Sequence, residues 1–293
     1  PTFPDGFDEE ILDKVRRISG RELLCNKPYS GTAVINDYGK EAKEKNAIII
    51  YTSADSVLQL AVQVNGVMEL EELYRICEKL RRELVGTKDG VGRIIARPYI
   101  ENADGSYTRT ADRRDYSLEP PAPLLPEAVK RAGKASVSVG KISDIFAGVG
   151  FTEAERTHSN EEGMEITEKF IDSDFEGLCF TNLVDFDMSW GHRRDPEGYA
   201  RGLNAFDAWL KRVLPKLRED DVLMVTADHG CDPCYLNTTD HTREYTPLIV
   251  YSKGISPDNF GTRESFADIS ATVAELLDVD LDTEGRALEL RNI

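Results

Sequence analysis

At 293 residues, 40% of them apolar and 30% charged, the chain is long enough for one large domain or two ordinary ones, each with a real core. Its 53 acidic against 36 basic residues leave a formal net charge of -17, which argues against nucleic acid as a partner, because neutralising phosphates needs a basic surface. No apolar run approaches the roughly twenty residues of a membrane span, so no membrane role is expected. The 5 cysteines, Cys25, Cys77, Cys179, Cys231 and Cys234, are odd in number and scattered, which suits a reducing compartment with the cytoplasm as the default. An anionic substrate must then be held by local positive charge, from arginines or bound metal ions.

In chain order, Asp8 to Ile18 and Glu69 to Leu84 carry helical apolar spacing, while Ala47 to Tyr51 and Arg93 to Ile100 read as strands, with turns at Asp89-Gly90 and Asp104-Gly105. These form an expected α+β domain over residues 1–119. The proline-rich stretch Glu119 to Pro126 favours extended backbone and reads as a linker or hinge. Beyond it, strands at Ser136 to Val139, Gly177 to Val184, Val222 to Thr226 and Pro247 to Tyr251 alternate with helices near Glu161 to Phe170, Pro196 to Leu217 and Phe266 to Leu277. That alternation predicts an α/β layered sheet over residues 120–293. Ser159, three residues before Glu162, has capping-box spacing, and His158 just ahead of it reads as solvated.

Ligands in open α/β sheets gather beyond the carboxyl ends of strands. Asp185, Asp187 and His192 follow the strand ending at Val184, Asp228 and His229 follow the one ending at Thr226, and His241 precedes the one starting at Pro247. Asp and His together suit zinc or manganese, and this many such groups exceed the needs of one tetrahedral ion. Two metals follow, able to clamp the attacking and leaving oxygens of an in-line phosphoryl displacement. Gly230 is expected to turn the chain sharply away from the site. Cys231-Asp232-Pro233-Cys234 has the C-x-x-C spacing. With no second such pair, and no thioredoxin-type helix opening behind it, it reads as neither a zinc nor a redox motif.

The runs Thr226-Ala227-Asp228-His229-Gly230, Asp240-His241-Thr242-Arg243-Glu244 and Asp185-Phe186-Asp187 with Gly191-His192-Arg193-Arg194-Asp195 resemble the phosphopentomutases, of the alkaline phosphatase-like metalloenzyme superfamily. The likeness extends to Tyr51-Thr52-Ser53-Ala54-Asp55-Ser56-Val57, Gly92-Arg93-Ile94-Ile95-Ala96-Arg97-Pro98 and Gly140-Lys141-Ile142, and so covers nearly the whole chain. Cys234 stands where the family carries threonine.

The resemblance implies an α/β fold: part of an alkaline phosphatase-like layered core (residues 120–293) with an α+β cap (residues 1–119) that binds sugar phosphate. It implies one metal on Asp187, His192 and His241 and a second on Asp228 and His229, completed by an aspartate expected upstream of this chain. The threonine that carries the phosphoryl group is also expected upstream. Ser53, Asp55, Val57, Arg93, Arg109 and Lys141 are carried over as pentose phosphate contacts, with Arg97 a close alternative to Arg93, since residues four apart on a strand share a face. The implied reaction interconverts 1- and 5-phosphates of ribose or deoxyribose through a phosphoenzyme and a sugar bisphosphate that also serves as activator. Manganese is the expected metal. Two alternatives stay open: another phosphomutase or phosphatase of the superfamily, and an inactive metal-binding fragment.

Overall fold

The computed structural model describes residues 1–53, 56–86, 90–120, 122–237 and 241–290. Asp55 and its neighbour Ala54, Asp89, Pro121 and Asp240 lie outside the described residues. The chain divides into two compact units, Pro1–Glu119 and Pro120–Ile293.

The first unit runs α1 (Glu9–Ser19), β1 (Leu23–Pro28), α2 (Ala33–Lys45), β2 (Ile48–Thr52), β3 (Val57–Gln63), α3 (Leu70–Glu83), β4 (Arg93–Glu101), β5 (Tyr107–Arg109) and β6 (Arg114–Ser117). One mixed sheet orders them β1-β2-β3-β4-β5, with β6 also on β4. The pairings β1–β2 and β3–β4 are parallel, and β2–β3 is antiparallel. Side chains alternate across this sheet. Ile48, Ile50, Leu58, Leu60, Ile94 and Ala96 pack with residues of α1 and α3, while Ile49, Tyr51, Ala61 and Tyr99 pack with Val34, Ile35 and Ala42 of α2. Both faces are therefore covered, which is why β2 is a continuous apolar run rather than an alternating one. Helix α1 is well capped: the Asp8 carboxylate accepts the Ile11 N–H, with Glu9 and Glu10 in the first turn and Arg16 and Arg17 in the last.

The second unit runs α4 (Leu125–Arg131), β7 (Ala135–Val139), α5 (Ile142–Ile145), β8 (Glu153–Glu155), α6 (Asn160–Ile171), β9 (Gly177–Thr181), a π-helical turn (Phe186–Gly191), α7 (Pro196–Val213), a 3₁₀ turn (Leu214–Lys216), β10 (Leu223–Thr226), β11 (Leu248–Tyr251) and α8 (Ala267–Leu276). Pro126 sits in the first turn of α4, where a missing N–H costs nothing. Among the described residues the strands form two sheets, a parallel β8-β7-β9 and an antiparallel β10-β11. Leu178 of β9 packs with α4 and α8, while the neighbouring Thr181 hydroxyl meets that of Thr167 on α6 at 2.7 Å, so helices flank both faces.

Two local expectations change. The strand expected to reach Val184 ends at Thr181, because after the Asn182 N–H to Val139 carbonyl bond the chain leaves the sheet to enter the π-helical turn. Ser159 does accept the Glu162 N–H (3.2 Å), but Glu162 reaches back to the His158 N–H (2.7 Å) rather than to Ser159. His158 itself is exposed. No helix of the described residues is long and apolar enough to cross a membrane.

Among the described residues, the segment 277–290 has no regular structure and is tied down by one buried carboxylate. Asp268 accepts the Arg286 N–H (2.8 Å) and the Arg263 guanidinium (2.7 Å), while Thr272 links the Asp268 carbonyl to the Leu288 N–H. The Arg286 N–H bond, and then Arg263, hold the Asp268 carboxyl below its ordinary range. A depressed folded-state pKa adds stability that is present above the unfolded value of about 3.9 and is lost as pH falls through the folded value. Asp268→Asn is expected to cost about 1–3 kcal/mol near neutrality, read from urea midpoints. The gap from the native chain should close as the pH is lowered through and below about 4.

Candidate metal centre

The centre begins where β9 ends. Asp185 and Asn160 exchange bonds: the Asp185 carboxylate accepts the Asn160 N–H (2.7 Å), and the Asn160 side-chain oxygen accepts the Asp185 N–H (2.8 Å). Asp185 also accepts the Ser189 hydroxyl (2.8 Å), so its carboxylate anchors the π-helical turn to the start of α6. Within that turn the His192 N–H bonds the Asp187 carbonyl at 2.9 Å. On an α-helix, residues five apart point about 140° away from each other; the wider turn brings them to one side. His192 Nε2 thus lies 3.2 Å from Asp187 Oδ1.

The other ligands arrive with the β10-β11 hairpin. Asp228 and His229 follow β10, and the Thr242 N–H bonds the Gly230 carbonyl (3.0 Å) while its hydroxyl accepts the Asp232 N–H (2.7 Å). This bridge sets His241 on His229, their rings stacked with centroids 3.7 Å apart, and His241 Nε2 reaches Asp187 Oδ1 at 3.3 Å. Gly230 has no left-handed φ, and the Glu244 carboxylate lies over it where a Cβ would stand, 2.2 Å away. His229 Nδ1 faces the Gly230 carbonyl at 3.1 Å, which can only accept. A bond there makes Nδ1 the donor, the arrangement common behind imidazoles that bind metal through Nε2.

Asp187 Oδ1 is shielded from solvent and accepts no hydrogen bond among the described residues, although two imidazole nitrogens lie within 3.3 Å of it. A carboxylate oxygen shielded without a donor is costly, and an ion between these lone pairs would remove that cost. Two groups of ligand atoms lie within 4.8 Å of one another: Asp187, His229 and His241, and Asp187, His192 and Cys231. The structure thus gathers Asp187, His192, His229 and His241. Asp228 stands beside His229, its Oδ2 3.5 Å from Nε2, and its side chain is 70% exposed. Cys231 was not legible as a ligand candidate; its C-x-x-C partner Cys234 is exposed, and both are free thiols. Burial pushes the Cys231 thiol up, partly opposed by Arg194.

Residues 41–281 match the family model of the metalloenzyme superfamily. The phosphopentomutase of Lachnoclostridium phytofermentans is 53% identical over 98% of this chain and 73% of its own length. Those of Clostridium novyi and Clostridioides difficile are 46% and 45% identical over the same shares. The chain belongs to the phosphopentomutase family. That membership gives the fold an alkaline phosphatase-like ancestry, and divalent metal ions are implied for it. The donor set here fits such ions: one shielded, donorless carboxylate oxygen and imidazole nitrogens aimed at it.

The sugar-phosphate candidates of this phosphopentomutase-family chain fall in different settings. In the first unit Ser53 is exposed just past β2, Val57 opens β3, and Asp55 lies outside the described residues. Arg93 is exposed and ion-paired with Asp115 at 3.7 Å. Arg109 donates to the Thr32 hydroxyl. Lys141 belongs to the second unit, its ammonium against the Met188 sulfur. A denser cationic group forms around Tyr51, whose hydroxyl is buried without a hydrogen-bond partner among the described residues. Burial pushes that hydroxyl up, and Arg97, Arg109 and Arg113 pull it partly back. The Arg97 guanidinium, bonded to Gln59 at 3.1 Å, has its own pKa lowered by burial first and also by Arg113 and Arg109.

Adding Mn²⁺ to about 100 times its dissociation constant is expected to stabilise the chain by about 2.7 kcal/mol, seen as a raised thermal midpoint that a chelator reverses. Asp187→Asn should remove the shift.

Proposed function

We propose that this chain interconverts the 1- and 5-phosphates of ribose and deoxyribose through a phosphoenzyme and a pentose bisphosphate at a two-metal site. The observation that carries this reading is the convergence of Asp187 Oδ1 with the Nε2 atoms of His192 and His241, in a chain 53% identical to a phosphopentomutase. Asp187, His192 and His241 would hold one ion, and Asp228 and His229 would contribute to a second. Such ions, with manganese the preferred one, neutralise phosphoryl oxygens and acidify a bound hydroxyl.

The chain's own residues hold and orient the sugar phosphate. Arg97, Arg109 and Arg113 repel one another, so a phosphate among them relieves repulsion and gains charge-assisted bonds in a planar fork geometry. The unpartnered Tyr51 hydroxyl can donate to the same anion. Ser53, Asp55 and Val57 are assigned to the pentose, Arg93 to the outer edge of the phosphate site, and Lys141 to the substrate from the second unit. Residues 1–119 then act as a cap that retains the bisphosphate and excludes hydrolytic water. The free cysteines suit a cytoplasmic setting.

A coupled assay of ribose 1-phosphate conversion with Mn²⁺, on the full gene product, tests the reading: ribose 5-phosphate is expected, and release of inorganic phosphate alone would overturn it. Arg97→Ala should raise KM for the pentose phosphate about ten- to a hundredfold, the loss of one charged hydrogen-bonding group, whereas Arg93→Ala should change it far less.

A further inference from the structure

The Cys231 thiol sits inside the centre but has no part in the ligand set above. It is only 8% exposed, and its sulfur lies with Asp187 and His192 in a group whose ligand atoms are all within 4.8 Å of one another. Ligands of a tetrahedral ion held at about 2.0–2.3 Å stand about 3.5 Å apart. Asp187 Oδ1 and His192 Nε2 already meet that spacing at 3.2 Å, so only the sulfur must close in.

The thiol occupies a built seat. Gly191, the last residue of the π-helical turn, would carry a Cβ 2.7 Å from the Cys231 sulfur and 2.7 Å from the Phe186 carbonyl oxygen, so only glycine allows this approach. On the other side the Arg194 guanidinium bonds the Gly191 carbonyl (2.9 Å) and the Asp232 carbonyl (2.9 Å) and stands 3.8 Å from the sulfur. It thereby ties the segment bearing His192 to the segment bearing Cys231. Asp187 Oδ1, shielded and without a hydrogen-bond donor, faces the same space.

We propose that Cys231 completes an Asp187–His192–Cys231 site that takes thiophilic divalent cations such as Zn²⁺, Co²⁺ or Cd²⁺, in competition with a harder ion on the Asp187 and histidine ligands. The proposal rests on Asp187 and His192 being metal ligands, as the proposed function has them. Ligation forms one metal–sulfur bond and releases the thiol proton to solvent. Thiolate selects softer ions than carboxylate and imidazole do, so the two modes favour different metals from one shared aspartate.

Cobalt titration of the full chain, followed by absorption, separates the two ideas. Visible ligand-field bands report that Co²⁺ is bound; a near-ultraviolet sulfur-to-cobalt charge-transfer band reports a thiolate ligand. The native chain and Cys234→Ser are expected to show both, and Cys231→Ser only the former, with Co²⁺ affinity lowered at least about tenfold, a loss typical even of a ligand's supporting partner. Ligand-field bands without charge transfer in the native chain would overturn the inference and leave the metal centre standing. A charge-transfer band that survives Cys231→Ser would overturn it as well. No cobalt spectrum at all would overturn both. Zinc-edge X-ray absorption of the native chain needs no variant: a Zn–S path near about 2.3 Å is expected, and its absence refutes the site.

Discussion

The second unit is arranged around one unfavourable fact, a carboxylate oxygen of Asp187 shielded from water with no hydrogen bond to compensate it. Uncompensated polar groups of this kind are tolerated where the surroundings hold them in place and a ligand removes the cost. Three devices hold it. The Asn160–Asp185 exchange fixes the start of the π-helical turn, the turn aligns Asp187 with His192, and the Gly230–Thr242 bridge delivers His241. Each engages a backbone N–H, the first through the Asp185 and Asn160 side chains and the other two through backbone carbonyls, so the ligand positions are tied to main-chain geometry.

A comparable tension of opposite sign occupies the first unit. Guanidinium groups of Arg97, Arg109 and Arg113 act on one buried tyrosine hydroxyl, on a sheet face otherwise packed with apolar residues. Clustered cations raise their joint affinity for an anion. The chain is acidic overall, at -17, so this group of guanidiniums stands out as a local reversal of sign.

How much of this the sequence disclosed depended on whether a residue's role was local. Helices α1, α3, α6, α7 and α8 were legible because their apolar spacing and end residues are written within a dozen positions. Strand β3 escaped, because Gln59 and Gln63 interrupt its apolar run; both are buried in the sheet, where Gln59 supports Arg97. Helix α2 escaped too, with Thr32 making no side-chain cap and Gly39 in its interior. Asp187, His192, Asp228, His229 and His241 could be named from strand ends and family motifs, since metal ligands are restricted to few residue types.

Composition and motif by themselves determined the class of chemistry, the ancestry and the ligand candidates, because charge, residue type and strand-end position are properties of the chain as a string. Only the tertiary structure decided which of those groups meet. It left Asp228 exposed beside His229, used Asp185 as an anchor, put Arg97 rather than Arg93 beside the buried tyrosine, and seated Cys231 against Gly191 within reach of the ligands. The reason is geometric: a π-helical turn, a hairpin bridge and a glycine contact each depend on atoms far apart in sequence, and no local pattern encodes the distance between them.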